Sequence, residues 1–312
     1  MNINDFRYLI TLSEELNFGK AASLCGISQP SLSTAIRKME RELGVELFER
    51  RPQSISLTSA GKAVVRQTEK ILREIDELKD IAHQQNDPLS GPLKLGAIYT
   101  VSPYLMPGLV RRMTKLAPAM PLILTENYTT ELLEELKNGD IDIAITALPI
   151  YAHGLSFVPL YDEDLVVAVP HNHPWKNHSC IEHQDLASDH LLLLGNGHCL
   201  RNQVLNICPD SARAYQSLIQ RTVSGSSLTT IRHMVAQGLG ITVLPASAVG
   251  QTGGDHLVKT VPFAEPIPTR RIIAVWRKSF TRFRTIEILK NAVSDLSLPG
   301  CHFLNLPSVN TP

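Results

Sequence analysis

Neither sign of charge dominates this chain: lysine plus arginine and aspartate plus glutamate balance at 30 each among 312 residues. With no global field to draw in polyanions, any contact with nucleic acid has to come from a local basic patch. No apolar run reaches the length of a membrane span, and the opening MNINDFRYL places charges where a secretory leader needs an apolar core. Cysteine is scarce and scattered: Cys25, Cys180, Cys199, Cys208 and Cys301 are too few for a disulfide framework. These absences point to the reducing cytoplasm, where a disulfide is transient and redox-linked rather than structural. There is no glycine-rich phosphate loop and no nucleophile elbow, and Gly238 and Gly240 in QGLGIT do not lead from a strand into a helix as a dinucleotide fingerprint would. No cofactor is expected. With 43% apolar and 19% charged residues, what remains is an ordinary globular composition, long enough for two or three compact units.

The first 60 residues read as short helices. DFRYLITLSEEL places Phe6, Leu9, Ile10 and Leu16 on one face. NFGKAASLCGISQPSLSTAIRKMERELG then predicts two helices about a tight turn. Ala21 and Ala22 allow close packing, Gly26 ends the first helix, and Ser28 with Pro30 opens the second. In that second helix Leu32, Ile36 and Met39 form a buried stripe. The opposite face carries Gln29, Ser31, Ser33, Thr34, Arg37 and Lys38, with Pro30 at its start. Small hydroxyls, an amide and two cations suit a helix lying in a major groove. LFERRPQSISLT reads as a two-stranded wing with Arg50, Arg51 and Gln53 at its tip. Singly these are ordinary surface residues; together they point to DNA binding.

Residues 59–87 read as a long helix capped by Thr58 and ending in a polar hinge, NDPLSGPL. Val64, Thr68, Ile71, Ile75, Leu78 and Ala82 follow a heptad rhythm, the narrow seam of a helix that pairs with another. From Gly91 strands and helices alternate: LKLGAI, IDIAITAL, DLVVAVP, GITVLP and RRIIAVWR are strand-like, and TTELLEELKNGD is an amphipathic helix ended by Gly139. HNHPWKNHSC gathers His171, His173, His178 and Cys180, but the spacing matches no closed zinc motif, and no metal site is assigned.

GHCLRNQVLNIC sets Cys199 and Cys208 nine positions apart in a segment of helical periodicity. A helix would hold them about 13 Å apart, whereas a disulfide needs Cα atoms within about 7 Å. Either the two never pair, or pairing unwinds the helix. Cys199 stands at the helix N-terminus, where backbone N–H groups favour a thiolate, and His198 and Arg201 add donors and positive charge. A pair of inert buried cysteines is the alternative.

FGKAASLCGISQPSLSTAIRKMERELGVELFERRPQSISLTSAG resembles the winged helix-turn-helix of LysR-type transcriptional regulators, and the resemblance runs on through SGPLKLGAIYTVSPYLMP, HPW, SLTTIRHMVAQGLGITVLPA and PTRR. It implies a fold: an α/β effector domain of two periplasmic-binding-protein-like lobes, preceded by an all-α winged helix-turn-helix and a long linker helix. The expected boundaries are 1–58 for DNA binding, 59–87 for the linker and dimerisation helix, and 88–312 for the regulatory domain. Its first lobe spans about 91–162 and 270–300, its second about 163–269. The resemblance also implies double-stranded promoter DNA as partner, assembly as a dimer of dimers (a homotetramer), and RNA polymerase as a further partner. GHCLRNQVLNIC looks like the redox centre of the family's hydrogen-peroxide sensors, which control antioxidant genes. That likeness implies a peroxidatic Cys199, a resolving Cys208, pocket threonines Thr100 and Thr129, and Arg270 in PTRR as a further thiolate stabiliser, although Arg271 is adjacent. Asn202 departs from it, standing where an acidic residue is expected. Two other readings stay open: a regulator sensing a small carboxylate between the lobes, and a thiol peroxidase fused to a DNA-binding head. The second lacks a thioredoxin-like framework around GHC.

Overall fold

The computed structural model describes residues 1–51, 54–84, 89–151, 153–207, 224–225, 227–249 and 257–304. The chain divides into two units, Met1–Asn86 and Asp87–Pro312. Among the described residues no helix is long and apolar enough to cross a membrane.

The first unit opens with helices α1 (Ile3–Glu15), α2 (Phe18–Leu24) and α3 (Gln29–Leu43). Asn2 and Asp5 cap α1 reciprocally. Leu9 and Leu12 are the fully buried residues of α1, with Phe6 and Ile10 packed beside them. Leu16, expected on that face, instead ends the helix in the left-handed conformation (φ 47°) and is exposed. Gly26 turns the chain at φ 66°, the Ser28 side chain caps α3 by accepting from the Ser31 amide, and Leu32, Ile36 and Met39 enter the core. Strands β1 (Phe48–Arg51) and β2 (Ser54–Leu57) pair antiparallel as the wing. Its approach to α3 is set by Glu40, whose carboxylate accepts from the Leu47 and Phe48 amides at 3.0 and 3.3 Å.

Helix α4 (Ser59–Gln84) starts under Thr58, whose hydroxyl accepts from the Gly61 amide at 2.8 Å and donates to the Glu46 carbonyl at 2.8 Å. Its first turns lie against α1. The inward residues there are Val65 and Thr68, with Val64 partly buried beside them, because the unit's own core sets the face at that end. Further along, Ile71 and Ile75 are half-buried and Leu78 is 67% exposed. Ala82 lies in the helix, and nothing is described of its side chain.

In the second unit, β3 (Leu93–Ile98), α5 (Ser102–Leu116), β4 (Leu122–Asn127), α6 (Thr129–Asn138) and β5 (Ile143–Ala147) form parallel β–α–β crossovers in strand order β4-β3-β5. Strand β6 (Leu155–Pro170) is 16 residues long. After it come β7 (Leu193–Leu194), α7 (Cys199–Ile207), β8 (Ser224–Gly225), α8 (Leu228–Ala236), β9 (Thr242–Pro245), β10 (Val258–Pro262), β11 (Thr269–Arg277), α9 (Phe283–Ser294) and β12 (Cys301–Phe303). β6 pairs with β11 over Leu155–Asp164 and with β9 and β10 over Leu165–Pro170. The same strand thus serves two hydrophobic cores. One is built on β3, β5, the first part of β6, β11, α5, α6 and α9; the other on the end of β6, β9, β10, α7 and α8.

Gly61 is a close-approach position: a Cβ there would be driven into the Leu47 carbonyl oxygen at the junction of wing and α4. Gly61→Ala is expected to lower the stability of the DNA-binding unit by about 1–3 kcal/mol, read as a lower thermal midpoint in the full-length protein.

Candidate functional site

Two loops at the carboxyl ends of parallel strands supply one wall of the site, the place where open α/β sheets bind ligands. Thr100 follows β3 just ahead of α5, and Thr129 opens α6 after β4. Thr100 is buried, and Thr129 shares a hydrogen bond with the buried Thr146 hydroxyl at 3.1 Å. The opposite wall is the start of α7. Cys199 is its first residue, half-buried against the first lobe's core, while Leu200 and Val204 of the same helix lie in the second lobe's core. On the same helix, Gln203 donates from Nε2 to the Leu148 carbonyl of the first lobe at 3.0 Å. The start of α7 is held by both lobes.

The pocket between these walls is lined by Ile98, Tyr99, Thr100, Asn127, Tyr128, Thr129, Gly197, His198 and Cys199, around a void of about 160 Å³. Three rings meet in it edge-on: Tyr128 and His198 at 4.8 Å between centroids, Tyr99 and Tyr128 at 5.3 Å, and Tyr99 and His198 at 6.0 Å. Gly197 is required twice. Its φ is 97°, and an added Cβ would stand 3.0 Å from the Tyr128 ring.

Behind Thr100 lies a buried charge pair. Arg270 donates from Nε to Glu163 at 2.7 Å, from Nη1 to the Thr100 hydroxyl at 2.9 Å, and from Nη2 to the Thr100 carbonyl at 3.0 Å. Both partners' side chains are fully buried. They face each other directly across β11 and β6, and Cys301 faces Glu163 from its other side. The second Glu163 oxygen accepts from the Ser247 amide at 3.2 Å, tying the pair to the second lobe. Burial works against the guanidinium's charge, but Glu163, then Cys199 and Tyr161, outweigh it and hold the Arg270 pKa above its ordinary value. Burial, followed by Glu163, pushes the Cys301 thiol well up. Arg271 points the other way, onto Asp162 through two hydrogen bonds of 2.7 and 2.8 Å. The neighbouring arginines are separated by strand alternation.

Cys199, His198, Thr100 and Thr129 meet in the pocket, and Arg270 reaches it through Thr100. Arg201 does not line it; its guanidinium donates to the Leu194 carbonyl at 3.0 Å. Cys208 lies outside the described residues, and Asn202 is exposed on α7. On α3, Gln29, Pro30, Ser31, Thr34, Arg37 and Lys38 are exposed and Ser33 is half-buried. Arg50 and Arg51 close the wing beside its tip, and Gln53 lies outside the described residues. The His171 to Cys180 segment gathers no trio of metal ligands among the described residues. His173 there contacts Asp189 at 2.7 Å and accepts from the Trp175 amide. Sequence reasoning missed Tyr99, Tyr128, Gly197, Thr146 and Glu163. A signal existed for the first two: the dipeptide Tyr-Thr occurs at both loop-to-helix junctions.

Residues 3–62 match the family model "Bacterial regulatory helix-turn-helix protein, lysR family", and residues 86–295 match "LysR substrate binding domain". The chain is 41% identical over 293 residues to the DNA-binding transcriptional dual regulator OxyR of Escherichia coli K12, covering 94% of this chain and 95% of that one. It superimposes on a full-length OxyR of Pseudomonas aeruginosa carrying a cysteine-to-aspartate substitution with a TM-score of 0.75, at 41% identity, over 96% of this chain and 99% of that one. A hydrogen-peroxide-bound cysteine-to-serine variant of OxyR from Corynebacterium glutamicum matches with a TM-score of 0.65, at 33% identity, over 94% and 91% of the two chains.

Removing one member of a buried ion pair strands the other. Glu163→Ala is therefore expected to lower stability by about 3–5 kcal/mol, measured by denaturant unfolding of the full chain. The raised Cys301 thiol gives a second expectation. Its neutral form is favoured in the fold, so its contribution to stability holds below the ordinary thiol pKa. That contribution is lost as pH rises past the ordinary value toward the raised one. At pH 8.5 Cys301 should resist iodoacetamide in the native protein and react once the chain is unfolded, as a peptide map would show.

Proposed function

The chain belongs to the LysR family of bacterial transcriptional regulators, and from that membership we propose that it senses hydrogen peroxide through Cys199 and responds by changing its hold on promoter DNA. The observation that carries the reading is the seat of Cys199. It opens α7 in a pocket with Thr100, Thr129 and His198, and its helix is packed into the cores of both lobes. The relatives named for peroxide-responsive regulation support it.

In the first step the Cys199 thiolate attacks one oxygen of the peroxide. The S–O bond forms, the O–O bond breaks, and the departing hydroxide takes a proton to become water. The hydroxyls of Thr100 and Thr129 hold the peroxide, and Arg270 polarises the Thr100 hydroxyl by donating to its oxygen. In the second step the Cys208 thiol attacks the sulfenic sulfur, forming the disulfide and releasing a second water. Two thiols lose two electrons in all, and one peroxide becomes two waters.

The disulfide is incompatible with α7. The nine helical residues from Cys199 to Ile207 hold the chain entering position 208 about 12 Å from Cys199, beyond the roughly 7 Å a disulfide spans. Oxidation therefore unwinds the helix, withdraws Leu200 and Val204 from the second lobe's core and breaks the Gln203 bond to the first lobe. In this reading residues 1–58 bind DNA through α3 and the wing, residues 59–87 link and dimerise, and residues 88–312 sense. Ile71, Ile75 and Leu78 present an apolar seam to a second α4, and two such dimers make the tetramer that spans a promoter in the cytoplasm, where RNA polymerase is the further partner. The protein reacts once per oxidation and is restored by a thiol reductant, so it signals rather than turns over peroxide.

The test is a thiol-trapping map. Reduced full-length protein is treated with one equivalent of hydrogen peroxide, quenched and digested. A rapid 199–208 crosslink, absent from Cys199→Ser, is the expected result. Survival of both thiols would overturn the reading in favour of a small ligand bound between the lobes.

A further inference from the structure

A second buried cation, away from the pocket, grips the start of the regulatory unit. Arg282 is 8% exposed. It donates from Nη1 to the Pro92 carbonyl at 2.9 Å, and from Nη2 to the Ser90 and Gly91 carbonyls at 2.9 and 3.4 Å. One guanidinium thus holds three successive carbonyls of the chain. The same stretch is held through its amides. Gly91 donates to the Ala119 carbonyl at 3.1 Å, and Leu93 to the Pro121 carbonyl at 2.9 Å. Gly91 turns the chain at φ 76°, and both Gly91 and Pro92 are exposed; burial begins only at Leu93. With no apolar side chain to bury at 91 and 92, polar bonds fix the main chain there, and a charged donor makes the stronger ones. Arg282 stands directly before α9, whose Ile286, Leu289 and Val293 lie in the first lobe's core. The grip is therefore anchored in that core.

Its place in the chain gives the grip a use. Helix α4 ends at Gln84, and the second unit begins at Asp87. Residues 90–92 are where the covalent connection from α4 enters the first lobe. We infer that Arg282 is a positioning residue for signal output: it stops the connection from swivelling at its point of entry, so that a rearrangement of the regulatory unit is passed to the linker helix. The inference rests on the peroxide-sensing reading above and adds how its signal leaves the regulatory unit. A chain held by one bond can rotate about it, whereas one held through three carbonyls and two amides cannot. Lysine is an incomplete substitute, because an ammonium is a point charge without the planar fork that spans several acceptors. Arg282 does not line the Cys199 pocket, so the oxidation step does not depend on it.

The experiment compares full-length wild type, Arg282→Gln and Arg282→Lys, each reduced and peroxide-treated. The probe is a DNA duplex selected by reduced wild type from a random-sequence pool, with affinity read by fluorescence anisotropy. Both variants are expected to form the 199–208 crosslink at the wild-type rate. In Arg282→Gln the ratio between reduced and oxidised affinities should move toward one by about 3- to 30-fold, the scale on which mutations alter coupling between distant sites. Arg282→Lys should fall between it and wild type. A crosslinked Arg282→Gln that keeps the wild-type ratio overturns the coupling role and leaves peroxide sensing intact. Crosslinking that slows in step with the lost DNA response also overturns it, because the residue then acts on the site itself. Should Arg282→Gln fail to fold, Arg282→Lys carries the comparison, and amide hydrogen exchange of wild type tests the grip directly. The Gly91 and Leu93 amides should be protected, and exchange as fast as in an unfolded chain overturns the inference. A wild type that crosslinks without any change in DNA affinity overturns the parent reading and this one with it.

Discussion

The buried pair of Arg270 and Glu163 is the constraint around which the regulatory unit is arranged. Two charges with no solvent at either side chain are held only because each is saturated: the guanidinium by a carboxylate, a hydroxyl and a carbonyl, the carboxylate by the guanidinium and a backbone amide. The partners those bonds reach are what give the pair its importance. Thr100 belongs to the first lobe and lines the pocket; Ser247 follows β9 in the second lobe. Glu163 and Arg270 sit where β6 passes from one set of neighbours to the other. Desolvation makes the pair intolerant of partial disassembly, so it ties the Thr100 loop to the second lobe.

The two cysteines nearest this pair sit in different surroundings. Cys199 is at a helix start, half-buried, within electrostatic reach of Arg270. At Cys301 burial, and after it the charge of Glu163, opposes thiolate formation. Cys199 stands in the pocket, and Cys301 stands across the strand pairing from Glu163.

Much of this was legible in the sequence, and the limits are physical. The α3 cap, its buried stripe and its polar face follow from local spacing, since a helix is a local structure. So does Cys199 at a helix start. The back half of β6 was readable as DLVVAVP, but its front half was not, because Pro159 and the run Asp162, Glu163, Asp164 look like surface. Glu163 is buried only through a partner 107 positions away, which no local pattern encodes. Nor does the dipeptide Arg270–Arg271 say which side chain turns inward; that depends on the register of β11 against β6. Tyr99 and Tyr128 were missed because they reach His198 from two segments far from it in the chain. Leu16 went astray at a helix end, where a left-handed cap overrides periodicity.

Length is not equally free to change along this chain. Loops accept insertions because nothing downstream depends on their count. β6 is different. Both lobes read their inside and outside from its alternation, and one residue gained or lost within it would turn every later side chain of the strand to the opposite face. With Glu163 near its middle, such a change would push a carboxylate out of its ion pair and apolar neighbours toward water in the same event. Such a residue can be absorbed only by a local bulge, as where Ile272 faces Tyr161 and Ile273 faces Pro159, with Leu160 between them.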